Sequence, residues 1–215
     1  MIKQTLLIAI SILALTACSS KNSEKAGGVG SVIAAQLKGV IAARKAAKSG
    51  DKPAAVKPFT FDDAAKAKAE LIQIEIPRFN LSTLAQFVHD NAGYKTYLTA
   101  GQQSVTLKDA ELTATRGFGH DLMARSVGDS ERTYRYLDSL NHLRKFEVTC
   151  ASIDAGMEEI QVLDKTFRLR KIEEVCRNKT KAFKNVKWVS ASGEMRKATQ
   201  WVGQDVGFII IEWLN

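Results

Sequence analysis

"NVKWVSASGEMRKATQWVGQDVGFIIIEWL", residues 185–214, decides the fold. It reads as three strands, turning at Ser192-Gly193 and again between Gly203 and Asp205. The same texture runs back to Leu71. "LIQIEIPRF", residues 71–79, puts Ile72, Ile74 and Ile76 on one side and Gln73 and Glu75 on the other, the period of a strand. "YKTYLTA", a turn at "GQQ", and "SVTLKDAELTATRGFG" read as further strands. "HLRKFEVTCASI", "EEIQVLD" and "TFRLRKI" continue the pattern, with Ala155-Gly156 as a turn. Residues 121–141, "DLMARSVGDSERTYRYLDSLN", interrupt the strands and read as a loop with a short helix. About nine or ten strands with few helices among them predict a mostly β, β-rich α+β protein. The expected architecture is a single large curved antiparallel sheet or partly open barrel with a packed helix.

The chain ahead of the strands is of another kind. Residues 19–31, "SSKNSEKAGGVGS", are small and polar and read as a leash. From Ser31 to Gly50, Val32, Ile33, Leu37, Val40 and Ile41 follow helical spacing, with Lys38, Arg44, Lys45 and Lys48 toward the polar side. That predicts an N-terminal amphipathic helix, followed by the linker "DKPAAVKP". In "FTFDDAAKAKAEL" Thr60 is placed to cap a short helix, with Asp62 and Asp63 in its first turn.

The opening "MIKQTLLIAISILALTACSS" sets the address. Thr5 to Ala17 is apolar apart from hydroxyls, the length of a signal-peptide core and short of the roughly 20 residues of a membrane span. Leu15-Thr16-Ala17-Cys18 resembles the bacterial lipobox, in which the cysteine thiol is acylated and the chain is cut just before it. Each buried methylene of such an anchor contributes about 0.8 kcal/mol. Ser19, where an inner-membrane lipoprotein usually carries aspartate, points to the outer membrane, facing the periplasm. The expected divisions are a signal peptide at 1–17, a lipid-anchored leash and helix at 18–57, and a β-rich domain at 58–215. Removing residues 1–17, with the single charge Lys3, lowers the net charge from +8 to +7, a bias that suits an anionic neighbour.

With Cys18 acylated, Cys150 and Cys176 remain in an oxidising compartment, where two cysteines usually pair. A metal site does not follow, since two ligands do not make a zinc centre and no histidine stands at ligand spacing. The pairing raises a problem of parity. Phe146, Val148 and Cys150 share one face, whereas Phe167 and Leu169 put Cys176 on the other. A break between Lys171 and Val175 is the expected remedy.

Catalytic motifs are not found. His89, His120 and His142 form no metal-binding pair. "GFGHD", residues 117–121, lacks the third glycine and following helix of a dinucleotide site. Glu158-Glu159 and Glu173-Glu174 are adjacent on strands and point to opposite faces, so neither pair serves as acid and base together. No cofactor is implied. Basic residues carry more. Arg168 and Arg170 share a strand face and, with Arg116, are the candidate contacts for a polyanion; Arg125, Arg132, Arg135, Arg144, Arg177 and Lys187 belong to the same basic set. Guanidinium forks match carboxylate and phosphate. Trp188 and Trp201 are candidates for stacking on sugar rings or for the core. Nucleic acid is unexpected in this compartment.

The order of these pieces resembles a known family: a lipobox, "LKDAELTATRGFGHDLMARS", a cysteine strand, a second cysteine in "IEEVCRN", and the closing thirty residues. It is similar to the lipoproteins of exopolysaccharide and group 4 capsule operons, the YjbF/GfcB type. The clearest matches are Thr115-Arg116-Gly117, Gly119, Asp121-Leu122, the run from Trp188 to Gly193, and Gln200-Trp201. The resemblance implies an outer-membrane lipoprotein with no established catalytic residues, encoded beside exopolysaccharide-operon proteins that include an outer-membrane barrel. The expected role is a non-catalytic accessory factor in exopolysaccharide or capsule assembly or export, possessing contacts to acidic polysaccharide. Two alternatives stand beside it. A lipid- or acyl-chain-binding module would show a deep cavity lined by aliphatic residues, and a glycan-modifying enzyme would show carboxylates clustered in a cleft.

Overall fold

A computed structural model of the protein describes residues 59–126 and 130–215. The signal peptide, Cys18, the leash and the amphipathic helix expected at 31–49 lie outside the described residues. Thr60 caps helix α1 (Phe61–Ala65) in a capping box, its hydroxyl accepting from the Asp63 N–H at 3.2 Å while the Asp63 carboxylate accepts from the Thr60 N–H at 3.1 Å.

Twelve strands follow. They are β1 (Leu71–Ile76), β2 (Leu81–Asn91), β3 (Tyr94–Thr99), β4 (Ser104–Lys108), β5 (Glu111–Arg116) and β6 (Leu122–Arg125). Then come β7 (Glu131–Leu137), β8 (Leu143–Val162), β9 (Lys165–Arg177), β10 (Ala182–Val189), β11 (Met195–Gly203) and β12 (Gly207–Trp213). All ladders are antiparallel, and apart from β5 and β6 each strand pairs with its neighbours in sequence. β1 also pairs with β12, Ile72 opposite Trp213 and Ile74 opposite Ile211, so the sheet curls round until it is nearly a closed barrel. The one junction without a ladder is between β5 and β6.

Three sequence expectations change. The interruption expected at 121–141 is the β6–β7 hairpin: Arg132, Tyr134 and Tyr136 are its buried positions. The turn expected at Ala155-Gly156 lies inside the twenty residues of β8 as a bulge between Asp154 and Met157, with Gly156 at φ +85°, a conformation that favours glycine. The break expected in β9 is absent among its registered pairs, which run unbroken from Arg170 to Arg177 against β10. Helix is minor, limited among the described residues to α1 and a 3-10 turn, Pro77–Phe79.

The parity problem has a different solution: two cores bury opposite faces. Ile72, Ala85 and Trp213 belong to the barrel interior, with Cys150 and Cys176. Their chain neighbours Leu71, Leu84 and Leu214 point the other way and form a second core outside. The far end of the β8–β9 hairpin turns over onto this outer face like a cuff. Ile160, Val162 and Phe167 join the second core, with Phe61 of α1 5.4 Å from the Phe167 ring. One strand therefore buries Cys176 inward near the barrel and Phe167 outward at its tip.

Candidate functional site

The seam between β5 and β6 is held by side chains. Asp121 accepts from the Thr115 hydroxyl at 3.0 Å and from the Gly117 and Phe118 N–H groups at 2.8 and 3.1 Å. The Leu122 N–H donates to the Thr115 hydroxyl at 2.9 Å. Thr115 thus bridges the strand ends where a ladder would otherwise form.

Behind the seam the interior is ionic. Arg125 on β6 pairs with Glu111 on β5, and Lys187 on β10 reaches the same carboxylate. Arg132 on β7 donates to Glu174 on β9 at 2.6 Å and stands 3.6 Å from Glu111. Asn185 donates to Glu174 at 2.8 Å and accepts from the Trp201 N–H at 2.8 Å. Gln200 accepts from the Leu112 N–H at 2.9 Å and from Arg125 at 3.0 Å. Glu111, Arg125, Arg132, Glu174, Asn185 and Gln200 are all buried. Burial pushes the Glu111 carboxyl up, but Arg125 and Lys187 outweigh it and hold it below the usual carboxylate range. Glu174 is likewise raised by burial and lowered more strongly by hydrogen bonds from Arg132 and Asn185. Both carboxylates are therefore locked as anions, the wrong state for a general acid near neutral pH.

Trp201 stands beside this network, 3% exposed, stacked on Phe183 at 4.6 Å and edge-on to Tyr134 at 5.0 Å. It is a core residue: no ring face is open for a sugar to stack on. Trp188 is half-buried and donates its indole N–H to Glu158 at 2.8 Å. Cys150 and Cys176 are joined in a disulfide across directly opposed positions of β8 and β9, with Cα atoms 4.0 Å apart.

The polyanion candidates occupy two separate places. Arg116 ends β5 at the outer side of the seam. There it lines a cavity of about 590 Å³ with Ser104, Thr106, Thr115, Asp121 and Met123. Arg168 and Arg170 lie on the exposed face of the cuff, opposite Glu159 and Met157 of β8. A second cavity, about 270 Å³, opens where Glu70, Asp90, Lys95 and Tyr97 meet Trp213. Burial and the adjacent Glu70 carboxylate push the Tyr97 phenol well above its ordinary range, keeping it a neutral donor. The interior network was not singled out by sequence reasoning; Arg125, Arg132 and Lys187 stood there only among the basic set. Of the pieces that carry the family resemblance, Thr115, Gly117, Asp121, Leu122 and Gln200 fall on the seam and its backing, whereas Trp188 reaches Glu158 of the cuff.

Comparison with known proteins gives the following. Residues 52–214 match the family model described as group 4 capsule polysaccharide lipoprotein, GfcB and YjbF. The crystal structure of the lipoprotein YmcC from Escherichia coli K12 is similar in fold. Its TM-score is 0.63 at 14% identity, covering 74% of this chain and 90% of that one. An exported protein with a YmcC-like fold from Bacteroides fragilis NCTC 9343 gives a TM-score of 0.32 at 8% identity, covering 68% and 93%. Among curated proteins no match is found.

Proposed function

This chain belongs to the YjbF family of group 4 capsule polysaccharide lipoproteins, and on that premise we propose that it is a non-catalytic accessory factor in capsule or exopolysaccharide assembly or export. It acts at the periplasmic face of the outer membrane, held there by acylated Cys18. The observation that carries this reading is that the family match spans all twelve strands. The locked state of Glu111 and Glu174 supports a structural interior over a reactive one. An acidic polysaccharide is the ligand class favoured by the exposed arginines, with Arg168 and Arg170 on one face and Arg116 in the seam cavity. The working partners are proteins of the same operon, including an outer-membrane barrel.

The test is genetic and then physical. Deleting the gene should reduce secreted polysaccharide, Cys18→Ala should give a similar loss, and labelled palmitate should mark the parent but not Cys18→Ala. Purified protein should bind an acidic capsular polysaccharide less tightly as salt rises, because exposed charges are screened over about 8 Å at physiological ionic strength. Cleavage of the polysaccharide by purified protein would sink the non-catalytic reading.

A further inference from the structure

β8 is twenty residues long, but its partner β7 covers only the first seven, from Leu143 opposite Leu137 to Thr149 opposite Glu131. Among the described residues the last main-chain bond on that side is from the Cys150 N–H to the Ser130 carbonyl at 2.6 Å. Beyond it, among the described residues, 151–162 are paired through β9 alone. Every second residue of such a strand turns its N–H and C=O outward, so this is an open edge of twelve residues. Residues 151–157 are exposed without exception, and Ile153 and Met157 are each 56% exposed. The bulge at Asp154–Met157 divides the edge but does not cover it.

The charges choose among occupants. The segment carries Asp154, Glu158 and Glu159 and no cation. A second copy pairing edge to edge would set acids against acids, which costs stability when like charges face each other. An incoming strand would lie about 4.8 Å from β8 and twice as far from β9. It would therefore meet Asp154 and Glu159 before Arg168 and Arg170. Glu158, on the other face, is already held by Trp188 at 2.8 Å and Lys171 at 3.2 Å. That face also bears Ile153 and Ile160, while Asp154 and Glu159 are on the face that holds Met157.

We propose that the open edge of β8, residues 151–162, is a docking site that adds a strand from a partner protein, and that the strand alternates basic with apolar residues. The basic side chains meet Asp154 and Glu159, and the apolar ones cover Ile153 and Ile160. The main chain of the partner supplies the hydrogen bonds that β7 does not.

The experiment uses the mature protein with two synthetic octapeptides, one alternating lysine and valine, the other glutamate and valine. Amide hydrogen exchange is followed with and without each peptide. The lysine peptide should slow exchange within 151–162, and the glutamate peptide should not. In the double variant Asp154→Lys/Glu159→Lys the affinity for the lysine peptide should fall about tenfold, roughly threefold per acid, and the glutamate peptide should bind instead. If that variant is misfolded by its thermal transition, Glu159→Gln alone should show the threefold loss. The proposal is overturned by protection elsewhere, by equal binding of the two peptides, or by charge variants that bind like the parent. Protection at 151–162 that grows with protein concentration would assign the edge to a second copy. Protection without peptide at every concentration would assign it to another part of this chain.

Discussion

The interior behind the seam and the open face of the cuff are built from the same residue types and put them to opposite uses. Behind the seam, Arg125, Arg132 and Lys187 face Glu111 and Glu174 out of water, and each charge is held by at least one of the opposite sign. On the cuff, Arg168 and Arg170 lie in solvent. Charge in the interior determines which strands meet, because an unpaired ion there is intolerable. Charge on the cuff is free to meet something else. An arginine in this sequence is therefore structural or available according to its depth, and only register reveals which.

The sharpest way to break the comparison is to remove a buried cation. Arg132→Met should destabilise the domain by about 3–5 kcal/mol in urea unfolding, because Glu174 is left buried with only Asn185 as donor. Adding Glu174→Gln should recover part of that loss; a double-variant loss equal to the sum of the two single-variant losses would show that the pair is uncoupled. Next in size is the bridge beside the network. Cys150→Ala should cost about 2–5 kcal/mol, and unfolded, unreduced parent should show no free thiol from Cys150 or Cys176.

Acid should act on the interior through its two carboxylates. Glu111 and Glu174 are both held below the ordinary carboxylate range in the folded protein. The unfolded chain thus takes up protons first as pH falls. The stability these groups give is complete above about pH 5 and is lost as pH drops through their folded values. The thermal midpoint should be flat from neutral pH to about pH 5 and fall below it, and Glu174→Gln should flatten that fall. A decline that begins near pH 7 would point to a different group. The smallest effect belongs to the cuff. Arg168→Glu with Arg170→Glu should lower unfolding stability by no more than about 1 kcal/mol, since a glutamate at 168 faces Glu159 in solvent, while weakening binding of an acidic polysaccharide. A large drop in midpoint would erase the distinction between the two regions.

The sequence makes the strands legible wherever alternation is apolar against polar. Ile72, Ile74 and Ile76 fill inward positions and can be read directly. β7 could not be read so, because one of its inward positions is Arg132, and an arginine at period two looks like solvent-facing texture. Glu111 and Lys187 hide for the same reason. They are 76 residues apart and meet only through the curl of the sheet. The disulfide was reached from compartment and count. Its placement needed the cuff, since the apparent fault in parity is two cores using the two faces of one strand. Arg116, Arg168 and Arg170 were legible as candidates, but not their separation into seam and cuff. Trp201 could not be told from an exposed platform until Phe183 and Tyr134 were seen against it.

The pairing of β1 with β12 bears on the order in which the protein assembles. Every other ladder joins strands adjacent in the chain, so each hairpin can form from a local segment at little loop-closure cost. Ile72 must wait for Trp213. A growing chain cannot close its barrel until Trp213 is free to pair. Until then β1 and the most recent strand are both bare edges. The seven-residue strand β12 is thus the kinetic latch, and a chain lacking it would remain an open sheet exposed to aggregation.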